Sequence, residues 1–306
     1  MHYRQLGRHD ATVSEISFGC NRLGEAHSPD AHWIDLVRQA MDLGVTLFDT
    51  AESYGWGCSE EILGQAIGNR SDILIASKVS RVQETDAKDF SAARIVAQAE
   101  ASLRRLQRDC IDIYQLHSPT VADLQQFDWP EAMSQLKAAG KIRFSGVSIN
   151  DVASGEWLIA QGLADVLQVE YSMLEPAVGE ALFPVAEEAG VGILVRMPMA
   201  RGILTGKFQP GRTVGQEYRA SLLGDKVSGY VDQAAAFART MPDDGWTLGQ
   251  LALRYAITPQ AVSAAIPGAR TVEQLRQNVA ASDGMGLSEE ELVAVTIVQS
   301  RWQRKV

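Results

Sequence analysis

Short apolar runs rich in Ile and Val alternate along the chain with longer stretches whose apolar residues recur every three or four positions. The short runs predict strands at Glu15–Gly19, Thr46–Thr50, Asp72–Lys78, Ile111–His117, Ile142–Ser148, Val166–Ser172, Gly192–Pro198 and Val262–Gly268. The periodic stretches predict helices near Ala31–Leu43, Ser59–Ile67, Pro130–Ala139, Val152–Gln161, Val178–Ala189, Leu248–Ala256 and Val272–Ala280. The clearest helix runs from Ser91 to Leu106, with Ile95, Val96, Ala99, Leu103 and Leu106 on one face and Ser91 placed to cap its start. Gly44, Gly68, Gly140, Gly162 and Gly190 follow helix ends, where a left-handed residue is wanted.

Repeated strand–helix units in about 280 residues predict an α/β fold of the (β/α)₈ TIM-barrel type. The competing reading is a doubly wound sheet, which commonly carries a glycine-rich turn after its first strand. No GxGxxG is present: Gly55-Trp56-Gly57 and Gly284-Met285-Gly286 both lack the third glycine. Three pieces fall outside the repeat. Residues 1–14 predict a hairpin able to plug the barrel bottom. The stretch Arg201–Trp246 holds Gly202, Gly206, Gly211, Gly215, Gly224 and Gly229 among its glycines, and predicts a partly mobile loop over the active-site face. Residues 287–306 predict an extra C-terminal helix, with Ser288 as cap and Glu291 three residues on. No linker, low-complexity tract or internal repeat divides the chain, so residues 1–306 are expected to form a single domain.

Composition narrows the function class. The net charge is −10 over 306 residues and the pI about 5.1, which argues against nucleic acid or an acidic membrane as the main partner. An anionic ligand must therefore find a local basic pocket. The three cysteines, Cys20, Cys58 and Cys110, form no CxxC or zinc spacing. No metal site and a reducing, cytosolic setting are the expectation. The polar start Met1-His2-Tyr3-Arg4-Gln5 lacks the apolar core of a signal peptide. No apolar run approaches the roughly 20 residues that span a bilayer.

The densest chemistry lies in Phe48-Asp49-Thr50-Ala51-Glu52-Ser53-Tyr54, with Lys78 and His117 further on. Strand alternation puts Val45, Leu47 and Asp49 on one face. It does the same for Leu74, Ala76 and Lys78, and for Ile111, Ile113, Gln115 and His117. In a barrel each polar residue then ends an inward-facing row at the C-terminal mouth, where such barrels hold their catalytic groups. A carbonyl that accepts a hydride needs a proton, and Tyr54 can supply it. A nearby Lys78 ammonium favours the phenolate and is expected to lower the ordinary pKa near 10. Asp49 would hold Lys78, and His117 would orient the substrate oxygen. Any one of these residues alone is more often structural. All four at successive barrel mouths are hard to explain that way.

These residues carry a family resemblance. Phe48-Asp49-Thr50-Ala51-Glu52-Ser53-Tyr54-Gly55, Ser77-Lys78, Leu116-His117-Ser118-Pro119, Gly146-Val147-Ser148 and Gln168-Val169-Glu170-Tyr171-Ser172 resemble the aldo-keto reductases, in their order. The opening Tyr3-Arg4-Gln5-Leu6-Gly7 and the late Ile266-Pro267-Gly268-Ala269-Arg270 do so as well. The resemblance implies a (β/α)₈ barrel that binds NADPH/NADP⁺ without a glycine fingerprint. It also implies reduction of small aldehydes or ketones with Asp49, Tyr54, Lys78 and His117 as the catalytic set. By position, Ser148 and Gln168 match contacts to the nicotinamide carboxamide. Gly268, Ala269 and Arg270 match the loop gripping the adenosine 2′-phosphate, and Gln274 and Asn278 match contacts to phosphate and adenine. Arg196 and Pro198 end strand seven and Arg201, Gly202, Lys207 and Arg212 follow it, where further cofactor contacts are expected; Lys207 and Arg212 can reach the pyrophosphate. An alternative from another class is an NADP(H)-sensing regulatory subunit resembling the potassium-channel β subunits. A third is a barrel using nicotinamide for lyase or epimerase chemistry.

Several positions depart from the family pattern. Ile149 stands where many members have Asn, and Asn150 follows, so an amide contact is lost or relocated. Arg196 stands where many have an aromatic residue on the nicotinamide. Its guanidinium can stack there or pair with a carboxylate. Asn21 or Arg22 near the mouth hints at polar or acidic substrates. Trp56 and Trp129 can wall the pocket or anchor their loops. Substrate identity and oligomeric state stay open.

Overall fold

The computed structural model describes residues 1–211, 224, 226–242 and 245–303. Eight strands run parallel and neighbour one another in chain order. They are β3 (Phe18–Gly19), β4 (Leu47–Asp49), β5 (Leu74–Val79), β6 (Ile111–His117), β7 (Ile142–Ser148), β8 (Val166–Glu170), β9 (Gly192–Arg196) and β10 (Val262–Ala265). The two sheet edges meet: Ser17 N–H donates to Ala265 C=O (2.8 Å), Ala265 N–H to Glu15 C=O (2.8 Å) and Gly19 N–H to Pro267 C=O (3.0 Å). Closure leaves no unpaired sheet edge, and the result is a (β/α)₈ barrel. Several strands are shorter than their apolar runs, because the mouth residues leave the ladder and turn into the loops that carry side chains over the opening.

The predicted helices form within a residue or so of their expected ends, from α1 (Asp30–Asp42), α2 (Cys58–Ile67) and α3 (Ala92–Leu106) through to Val272–Val279. Their apolar faces cover the outside of the barrel, with Trp33, Leu36, Ile95, Leu103 and Leu106 among the buried residues. Each such side chain stabilises the fold by about 1.5–3 kcal/mol relative to exposure. Gly64, inside α2, lets α3 approach closely; a Cβ there would lie 2.3 Å from the carbonyl oxygen of Arg105. Ser91 stands at the N-cap of α3, but its side chain makes no capping bond. Instead its own N–H donates to Asp89 Oδ1 at 2.9 Å.

The N-terminal hairpin β1 (Tyr3–Gln5) and β2 (Thr12–Ser14) closes the bottom as expected. Leu6 and Val13 join Leu47, Leu74, Ala76, Ile113, Val166, Leu194 and Ala264 in one interior cluster. The C-terminal helix Glu289–Gln303 has the expected reciprocal cap. Ser288 N–H donates to Glu291 Oε2 (2.6 Å) and Glu291 N–H to Ser288 Oγ (3.2 Å). Within the stretch Arg201–Trp246 the described residues correct part of the expectation of a loop, while residues 212–223, 225 and 243–244 lie outside them. A 3₁₀ turn spans Ala200–Thr205 and a helix spans Lys226–Thr240, burying Val231, Ala234 and Phe237. Its glycines masked an amphipathic pattern. A short helix at Val121–Gln126, begun by the Thr120/Asp123 capping box, also went unpredicted.

Candidate active site

Above its apolar layer the barrel interior turns polar. Parallel register sets this up: Asp49 pairs with Ala76, Lys78 with Gln115, His117 with Ser148 and Ser148 with Gln168. Lys78 is 0% exposed. Its Nζ donates to Asp49 Oδ2 at 2.6 Å and to Thr50 C=O at 2.8 Å. Asp49 Oδ1 accepts from Gln168 Nε2 (2.7 Å) and Gln115 Nε2 (3.4 Å). Burial works against the ammonium, but attraction to Asp49 and Tyr54 outweighs it and raises the Lys78 pKa. The charge is therefore paired in place, as a buried cation must be.

Tyr54 opens the turn Tyr54–Gly57, in which Gly55 (φ 59°) and Trp56 (φ 50°) take left-handed conformations. Its ring stands edge-on to His117, with centroids 5.8 Å apart and planes at 83°. Lys78 Nζ lies 5.1 Å from the Tyr54 centroid. Burial pushes the Tyr54 phenol above its usual pKa; Lys78 pulls the other way and does not win. This corrects the expectation that Lys78 brings the phenol below its ordinary value. Burial, with Lys78 and Arg196 adding to it, lowers the His117 pKa to about 3. The imidazole is therefore neutral at neutral pH, and its buried Nδ1 has no hydrogen-bond partner among the described residues.

These groups sit at the bottom of a cavity of about 500 Å³. Asp49, Tyr54 and His117 line its floor, and Ser148 and Gln168 one wall. Arg196, Pro198, Arg201, Gly202 and Lys207 line it from the β9 side, and Gly268, Arg270, Gln274 and Asn278 from the β10 side. Among the described residues, one expected site residue, Lys78, is absent from this lining. Lys78 lies beneath it, reached through Tyr54 and Asp49. Arg212 lies outside the described residues.

The structure decides several open points. Arg196 pairs with a carboxylate: Nη1 donates to Glu170 Oε2 at 2.8 Å. Its Nη2 donates to Asn150 Oδ1 (3.1 Å) and Ile149 C=O (3.3 Å), so the displaced amide serves the arginine. Arg201 shares the same Glu170 oxygen at 3.7 Å. Ser148 Oγ donates to Gln168 Oε1 at 3.4 Å. Arg270 pairs with Glu25, Asn278 Nδ2 donates to Gly268 C=O (3.3 Å), and Gln274 Oε1 accepts from Arg270 N–H (2.8 Å). Trp129 is a loop anchor, buried with Nε1 donating to Leu124 C=O at 2.9 Å. Trp56 is 48% exposed and does not line the cavity.

Three functional neighbours were missed from the sequence. Gln115 and Glu170 share parity with named residues on their strands and were findable. Glu25 lies in an irregular loop with no such signal. The lining fits a nicotinamide dinucleotide. Arg22, Arg196, Arg201, Lys207 and Arg270 gather there in a chain of net charge −10, beside a His117 nitrogen without a hydrogen-bond partner among the described residues.

Comparison with known proteins agrees. The model of the aldo/keto reductase family matches residues 15–299. An uncharacterized oxidoreductase, YqkF of Bacillus subtilis (strain 168), is 32% identical over 96% of this chain and 95% of its own length. The NADH-specific methylglyoxal reductase of Escherichia coli (strain K12) is 29% identical over 90% of this chain and 92% of its own. The solved aldo-keto reductase AKR11C1 from Bacillus halodurans, in its holo form, superposes with a TM-score of 0.84. It is 32% identical, over 97% of this chain and 96% of that one. On the fold, the site and these relatives, the chain belongs to the aldo/keto reductase family.

Proposed function

We propose that this protein reduces small aldehydes or ketones to alcohols with NADPH, acting as one barrel domain in the reducing cytosol. The observation that carries the reading is the fully buried Lys78 ammonium, held 2.6 Å from Asp49 beneath the Tyr54 ring. A nicotinamide dinucleotide, when bound, supplies the hydride to the carbonyl carbon. Tyr54 gives its hydroxyl proton to the substrate oxygen as negative charge grows there. Burial keeps the phenol protonated beforehand, and Lys78 stabilises the phenolate that remains. Neutral His117 donates its imidazole N–H to the same oxygen and fixes its direction. Ser148 and Gln168 would hold the carboxamide, and Arg270 the 2′-phosphate, which supports NADPH as the cofactor.

The test follows the absorbance of the reduced cofactor while the purified protein meets a panel of aldehydes, ketones and 2-oxo compounds. Tyr54→Phe should lose roughly 10²–10⁴-fold in turnover while still binding cofactor, the range of a lost general acid. A Tyr54→Phe variant with wild-type rates would remove Tyr54 as the acid. Tight cofactor binding with no turnover of any carbonyl would overturn the reductase reading.

A further inference from the structure

Arg270 does not face the cavity as an unshared charge. Its Nε donates to Glu25 Oε2 at 3.2 Å, and its Nη2 lies 3.1 Å from the same oxygen and donates to Oε1 at 3.4 Å. Arg22 Nη1 donates to Glu25 Oε1 as well, and His27 Nδ1 stands 3.4 Å from Oε2. The loop after β3 is thereby tied to the loop after β10. A second tie holds the β10 loop to the start of α1, where His32 Nε2 meets the Arg270 carbonyl at 3.0 Å. Arg22 and Arg270 both line the cavity; Glu25 stands behind them. Among the described residues, two guanidiniums and one carboxylate meet at this corner.

NADPH and NADH differ only by the 2′-phosphate, so discrimination between them is set by the charge this group meets. A carboxylate near the adenosine ribose favours the free 2′-hydroxyl, and an arginine favours the phosphate. Here both are present and joined. We propose that Glu25 is a specificity-determining residue that holds down the preference for NADPH and lets the chain use NADH as well. The Nε–Nη2 edge of Arg270 is occupied by Glu25, which leaves the opposite edge for the phosphate, and the phosphate approaches with the Glu25 charge close behind. This rests on Arg270 as the 2′-phosphate donor.

The experiment measures dissociation constants of NADPH and NADH by quenching of protein fluorescence, so no turnover is needed. It uses the wild type, Glu25→Gln, Arg22→Ala and Arg270→Ala, each checked for an unchanged melting profile. Glu25→Gln should raise the NADPH-over-NADH preference about tenfold, the scale of one unit charge at close range in a partly screened site. Arg22→Ala should lower that preference. A Glu25→Gln ratio that is unchanged or shifted toward NADH, with Arg270→Ala still abolishing the preference, overturns the proposal alone and makes Glu25 a mere support for Arg270. A ratio that Arg270→Ala does not move overturns both the proposal and the reading beneath it.

Discussion

Replacing Asp49 by Asn removes one charge from the barrel interior and almost no volume. The surroundings make the outcome calculable. Asp49 presents two acceptor oxygens, one to the Lys78 ammonium at 2.6 Å and one to the amide of Gln168 at 2.7 Å, with Gln115 further off at 3.4 Å. An asparagine has one oxygen and one NH₂. With the oxygen toward Lys78, its NH₂ meets two amide donors; with the oxygen toward the amides, its NH₂ meets the ammonium. Either orientation sets donor against donor in an almost wholly buried site, and with the NH₂ toward Lys78 the ammonium keeps the Thr50 carbonyl and the Tyr54 hydroxyl as partners. Breaking a buried ion pair from one side costs about 3–5 kcal/mol. At a urea slope of about 3 kcal/mol per M, the midpoint should fall by roughly 1 M or more. The double variant Asp49→Leu/Lys78→Met removes both charges together and should recover much of that loss while remaining inactive. Urea titrations followed by tryptophan fluorescence give all the values. An Asp49→Asn stability within about 1 kcal/mol of wild type, or a double variant less stable than Asp49→Asn, would refute this account of the pair.

Other outcomes follow from the same structure. Arg270→Ala should weaken NADPH by roughly 1.5–3 kcal/mol and leave NADH nearly unchanged in equilibrium titrations, the scale of a charged hydrogen bond. His117 binds a proton below about pH 6.5 when unfolded but only near pH 3 when folded, so the unfolded state binds more protons between these values. Stability should therefore fall as pH drops through that window, by at most about 5 kcal/mol, and His117→Gln should flatten this part of the profile. Gly64→Ala would stabilise an ordinary exposed helix interior by about 0.5–1 kcal/mol. Here the added Cβ meets the Arg105 carbonyl at 2.3 Å, and the thermal midpoint should instead drop by the equivalent of about 1–3 kcal/mol.

Legibility followed periodicity. The helices and strands were readable because each buries one face against the barrel, and that requirement writes its period into the residues. Asp49, Lys78 and His117 were readable for the same reason: each ends an inward row, so parity alone places it at the mouth. Arg196 stands out in the sequence, yet only the parallel register that sets Glu170 beside it shows that it pairs with a carboxylate. The helix Lys226–Thr240 was hidden by neighbouring glycines, and its amphipathic face gains meaning only against the C-terminal helix it packs on.

The chain's own order of apolar and polar residues determined the barrel, the layer of polar side chains at its mouth and the family to which it belongs, since all three depend on local period and parity. Tertiary structure alone decided how the charges are shared. Glu25 and Arg270 stand 245 positions apart and meet only because the first and last barrel strands close on each other. The direction of the Tyr54 pKa likewise rests on how deeply the fold buries the phenol, a quantity set by packing from every side that no local pattern encodes.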